Sequence, residues 1–138
     1  MAYTNTLSIP ASTADRLASE KVIWLTTVDR SETPIPTPVW FLWSDGSFLL
    51  FSQPDTAKLA NIAAHPRVAL NFNSDAHGGG VSVFTGQAHV DPDVPEDEWN
   101  RYVRKYARDI ESLNLTPDSF RADYSVAIRA IPGRLRGW

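Results

Sequence analysis

The chain has 138 residues, 43% hydrophobic and 21% charged, with a formal net charge of −3 at pH 7. This is ordinary globular composition for one domain over residues 1–138 with its own core, and the acidic balance gives nucleic-acid binding no electrostatic support. The absence of cysteine excludes disulfides, thiolate catalysis and cysteine-based metal sites, and without an apolar run of spanning length a cytoplasmic protein off the membrane is expected.

Residues 12–20 read as a short helix with Ser12 or Thr13 as cap. The β-branched and aromatic run VIWLTTV at 22–28 predicts a strand, closed by the polar turn at 29–33. IPTPVWFLW at 35–43 predicts a second strand, and Asp45-Gly46 a tight hairpin into SFLLF at 47–51. SQPDTAKLAN at 52–61 opens a helix with Gln53 or Asp55 as cap and Leu59, Ile62 and Ala63 on its apolar face. His65-Pro66 should end it, because the residue before proline is pushed out of the helical region.

RVALNFN at 67–73 alternates, with Val68, Leu70 and Phe72 on one side. The Gly78-Gly79-Gly80 run reads as a turn into a long strand, VSVFTGQAHV, at 81–90. PEDEWNRYVRKYAR at 95–108 is an amphipathic helix with a core stripe of Trp99, Tyr102, Val103 and Tyr106. Thr116-Pro117 opens a short helical piece, YSVAIRAI at 124–131 is the last strand, and PGRLRGW is a tail. About six strands, with three to four helices, adjacent in sequence favour antiparallel pairing in a small closed or partly open barrel, mainly β with an α+β character.

Two stretches carry more than fold. Pro34, Pro36 and Pro38 remove three donors from one edge of their strand, while the edge through Ile35, Thr37 and Val39 can still pair. That is either an aggregation-proof edge or an edge that faces a ligand. Lys58, in turn, sits in the first turn of its helix, where the dipole favours anions, so it is misplaced unless something negative lies beside it.

The remaining features have plainer readings. His65, His77 and His89 have no ligand spacing, and no triad or carboxylate pair emerges. Asp15, Glu96, Asp97 and Glu98 read as dipole partners at helix starts. Arg101, Arg104, Lys105 and Arg108 read as a solvated face, with attraction of an anionic tail as the alternative. Trp24 and Trp99 read as core, Trp40 or Trp43 as a wall of a ligand site, and Trp138 as either a loose end or a side chain buried against a partner.

Three segments taken together, 22–72, 80–90 and 124–138, resemble the flavin and deazaflavin oxidoreductases of the pyridoxamine-5′-phosphate-oxidase-like split β-barrel superfamily. The pattern PVWF, DG, AK, N and HPRVAL is most similar to their actinobacterial branch associated with the deazaflavin coenzyme F420. The resemblance implies a split barrel, a homodimer and a flavin-like cofactor in a groove at the subunit interface. It implies a cofactor phosphate held at Ser52, Gln53, Thr56, Ala57 and Lys58, with Asn61 one turn on, and a ring system along Thr37, Pro38, Val39 and Trp40. Trp138 of the other subunit would complete the site. Ala57-Lys58 stands where the oxidases proper resemble one another in an Arg-Lys pair for the FMN dianion. One cation suits a phosphodiester, which favours F420 over FMN. The function this implies is hydride transfer between reduced F420 and a small organic acceptor, against non-catalytic binding of a flavin, deazaflavin or tetrapyrrole.

Overall fold

Burial alternates along residues 23–28: Ile23, Leu25 and Thr27 are buried, and Trp24, Thr26 and Val28 are half-buried on the opposite face. The computed structural model describes residues 7–138. In chain order it contains α1 (Ala11–Ser19), β1 (Ile23–Val28), β2 (Pro34–Val39), β3 (Leu42–Ser44), β4 (Ser47–Ser52) and α2 (Ala57–Ala64). There follow β5 (Arg67–Asn71), β6 (Ser82–Val90), α3 (Glu96–Ser112), α4 (Pro117–Asp123) and β7 (Val126–Gly137). The strands form one antiparallel sheet in the order β2-β1-β5-β6-β7-β4-β3, a split β-barrel with seven strands where about six were expected.

The inner face holds Ile23, Leu25, Phe48, Leu50, Leu70, Phe84 and Ile128, covered by Leu17 of α1 and Ile62 of α2. A second cluster lies on the other side of β4 and β7, where Leu49, Phe51 and Ala127 pack under Tyr102, Tyr106 and Ile110 of α3 and Phe120 of α4. All six residues of β4 are therefore buried, as a strand covered on both faces must be.

The hairpin at Asp45-Gly46 forms as predicted, with both residues at positive φ (50° and 77°). The strand expected over 35–43 is broken at Trp40-Phe41, because α3 takes the backbone there. The Phe41 N–H donates to the Tyr106 hydroxyl (2.8 Å) and the Lys105 ammonium donates to the Phe41 carbonyl (2.8 Å). β2 and β3 consequently sit at the two opposite edges of the sheet, and the break is its seam. Lys105 thus does not belong to a solvated face.

The other departures have equally local causes. α1 starts at Ala11 behind Pro10 rather than with a Ser12 or Thr13 cap, and the Thr13 hydroxyl is instead buried against Ser82 (3.0 Å). Asp15 lies beyond the first turn. α3 runs on to Ser112, because Ile110 continues the buried stripe of Tyr102 and Tyr106 at four-residue spacing. Asn114, at φ 60°, then closes it. The tail PGRLRGW is not a tail but the second half of β7: one extra residue is accommodated as a β-bulge opposite Thr85/Gly86, and pairing with β6 resumes as far as Gly137. Trp24 is on the outer face, not in the core, where its indole N–H donates to the Asn73 side-chain oxygen (2.9 Å).

Candidate functional site

The N-cap of α2 falls one residue after Asp55 and three after Gln53, the two predicted caps. Asp55 is in the left-handed region (φ 61°) and Gln53 is exposed before the turn, so Thr56, in extended conformation, takes the N-cap position. Thr56 does not cap with its side chain. The buried Ser52 hydroxyl donates to the Gln53 carbonyl (2.8 Å), so the Ser52–Thr56 contact (3.0 Å) has the Thr56 hydroxyl as donor. Among the described residues the amides of Ala57 and Lys58, the first two of the helix, have no acceptor. These are the orphan donors that a helix start leaves for an anion.

Lys58 is half-buried beside them and its Nζ has no hydrogen bond or ion pair with any described residue. Burial alone depresses its pKa below the ordinary lysine value, the signature of an ammonium partly stripped of water with no anion in return. Asn61, one turn on, donates from Nδ2 to the hydroxyl of buried Thr27 (3.0 Å). It therefore ties α2 to β1.

The predicted ring-binding strand, β2, lies beside β1, the strand to which Asn61 is bonded. β2 pairs with β1 on one side only, with Thr37 opposite Leu25 and Ile35 opposite Thr27. Directly paired residues share a face, so Thr37 and Val39 lie on the face where Asn61 meets Thr27. The three prolines are exposed, and their donor-free edge faces away from β1. Ser52, Thr56, Ala57, Lys58 and Asn61 thus lie around the start of α2, while Thr37 and Val39 lie on the same face of the sheet as Thr27, opposite Leu25 and Ile23. Pro38 projects to the other face. Trp40 is stacked on Tyr106 (4.7 Å between centroids) and Phe120 (5.7 Å), inside the second cluster. Trp138 is 65% exposed yet held in its own chain: its backbone pairs with Val81 in both directions and its indole donates to the Gly78 carbonyl (3.0 Å).

Sequence reasoning missed a buried charge network. Arg129 on β7 donates to both oxygens of Glu98 (2.7 and 3.0 Å) and to Asp91 (3.0 and 3.2 Å). Glu98 is thus a buried ion-pair partner as well as a first-turn acid. The available signal was an arginine in the middle of the apolar run SVAIRAI, which requires a buried anion. Among the described residues, no group of three or more His, Asp or Glu side chains is placed to hold a metal ion, and no helix is long and apolar enough to cross a membrane.

The profile of the pyridoxamine 5′-phosphate oxidase family matches residues 9–138. No curated protein sequence matches the chain. Among solved structures, the fold is similar to the heme storage protein HutZ from Vibrio cholerae (TM-score 0.71, 15% identity, 95% of each chain covered). It is also similar to an F420 reductase (TM-score 0.70, 20% identity, 93% of this chain and 98% of that one). A FAD-binding protein from Mesorhizobium loti is a third (TM-score 0.64, 19% identity, 92% of this chain and 90% of that one).

Proposed function

The chain belongs to the pyridoxamine 5′-phosphate oxidase family, and from that premise we propose that it is an oxidoreductase that binds a flavin-type cofactor, F420 before FMN, and transfers a hydride to a small organic acceptor. The observation that carries the proposal is Lys58: a half-buried ammonium with no partner among the described residues, beside two amides that have no acceptor among them, at a helix start. These donors fit a phosphate ester. One lysine with Ala57 beside it fits a phosphodiester monoanion better than the FMN dianion, and this supports F420.

In this reading the amides of Ala57 and Lys58 and the Lys58 ammonium hold the phosphate by charge-assisted hydrogen bonds. The Ser52 and Thr56 hydroxyls spend their protons on protein acceptors, so they shape the cradle before they donate to it. Asn61 fixes the helix to Thr27, and Thr37 and Val39 wall the adjoining face of β2. Bound reduced F420 would supply the hydride, and the chain supplies placement and exclusion of water. A homodimer belongs to this reading: the outer sheet face carries a depression of about 450 Å³ lined by Trp24, Pro36 and Val83, which a second copy would cover.

A second reading, binding without turnover, is supported by the fold likeness to a heme storage protein. Titration of the protein with F420 and with FMN, followed by anaerobic incubation of the reduced complex with acceptors, separates the two. Cofactor oxidation coupled to acceptor reduction supports the enzyme. Tight binding without turnover supports the carrier, and no binding of either cofactor overturns both.

A further inference from the structure

The outer face of the sheet has a second depression, at the other end of the same strands. It is a groove of about 870 Å³ across β1, β5, β6 and β7. Its size is that of a small-molecule site. Its lining includes Arg67 and Arg134 but no aspartate or glutamate, in a chain whose net charge is −3. Neither guanidinium has a hydrogen bond or ion pair with a described residue.

The register shows why both point into it. Arg67 is opposite Gln87 and Arg134 is opposite Thr85. Thr85 and Gln87 are two apart on β6, so all four side chains share the outer face. Arg134 owes this position to the bulge. With continuous pairing beyond Pro132, it would fall opposite Phe84 and point into the core; the extra residue, Gly133, moves Leu135 to that place and turns Arg134 outward. A bulge that re-aims a side chain in this way is a feature of functional rims. Two strand spacings and a two-residue offset put the two arginine Cα atoms roughly 12 Å apart, within reach of one shared anion. Ala69 and Gly133 line the groove between them without filling it.

We propose that this groove binds a small, multiply charged organic oxyanion, gripped between the guanidinium groups of Arg67 and Arg134 with Thr26, Thr85 and Gln87 as neutral donors. Planar guanidinium forks suit phosphate and carboxylate oxygens. The site is separate from the cofactor cradle and does not depend on it. Isothermal titration of cofactor-free protein with pyrophosphate, and separately with citrate, tests it. Saturable binding is expected, and the tighter of the two anions identifies the source as phosphoryl or carboxylate. Arg67→Ala or Arg134→Ala should weaken it at least tenfold, Ala69→Phe should block it, and in Lys58→Ala, where the cradle loses its cation, binding in the groove should persist. All three groove residues are off the core, and thermal melts check that their variants fold. No saturable binding of either anion at low salt overturns the proposal. So does binding that survives both arginine variants, or that is lost in Lys58→Ala.

Discussion

The guanidinium of Arg129 and the carboxylate of Glu98 meet fork to fork, at 2.7 and 3.0 Å, with both side chains almost fully buried. This pair fastens the first turn of α3 to the middle of β7, and Asp91 closes it from the loop after β6. Burial pushes both carboxyl groups up, but hydrogen bonds outweigh it: Arg129 with Ser44 on Glu98, and the Asp93 amide with Arg129 on Asp91. Both therefore titrate below the ordinary carboxylate range.

Glu98→Ala is expected to cost about 3 kcal/mol, the lower end of the range for breaking a buried ion pair, because Asp91 still faces the arginine. A depressed carboxyl contributes stability that is complete above its unfolded pKa and is lost as pH falls through the folded one. The gap between wild type and Glu98→Ala in chemical denaturation should accordingly be constant above pH 5 and shrink in more acid solution. A gap independent of pH down to acid unfolding would remove Glu98 as its source.

Lys105 gives a slope of the same sign in an alkaline window. Burial first, and then the charge of Lys21, lower its pKa from 10.5 to about 8. Between those values the folded lysine is neutral while the unfolded one still binds its proton, so stability rises with pH across that window. Wild type should gain on Lys105→Met from about pH 8 to 10.5. Melting curves of the two proteins that run parallel over that range would contradict the shift.

Lys58→Ala should weaken cofactor binding by about 1.5–3 kcal/mol, the range for hydrogen bonds to charged groups, or roughly ten- to a hundredfold in dissociation constant. Folding stability should be unchanged or slightly higher, since a cation leaves a helix start. Added salt should narrow the difference in affinity. Fluorescence titration with F420 and FMN, beside a melt of the cofactor-free proteins, measures all three. Equal affinities would move the phosphate site elsewhere.

The dimer predicts a mass of twice 15.3 kDa in solution. Trp24→Glu or Val83→Glu, both on the outer sheet face, should shift it towards monomer without unfolding the chain, because neither residue is in the core. Sedimentation of wild type as a 15.3 kDa species at micromolar concentration would rule out the shared site.

Periodicity revealed most of the architecture. Alternation in RVALNFN and the four-residue stripe of α3 are local consequences of one buried face, so they are legible without the rest of the chain. Trp40-Phe41 was not, because what interrupts the strand is the hydroxyl of Tyr106, 65 residues away. The same holds for PGRLRGW: Pro132 and Gly133 look like breakers, and only the partner strand, with Gly86 opposite, shows that they form a bulge. A Cβ at Gly86 would lie 2.1 Å from the Ile131 carbonyl oxygen, a constraint that no single strand reveals. In the candidate site, Lys58 stood out because it violates a local rule of helix starts. Asn61 was placed there by resemblance, and its bond to Thr27 is tertiary.

The sheet order also bears on how the chain is made. β7, the last strand in chain order, does not lie at an edge but between β6 and β4. Until it emerges from the ribosome, the ladder β2-β1-β5-β6 and the hairpin β4-β3 are two separate pieces with no strand joining them, each showing an unpaired edge. Closure of the barrel therefore waits for the last of its seven strands. The nascent chain before it is the form most in need of shielding from aggregation.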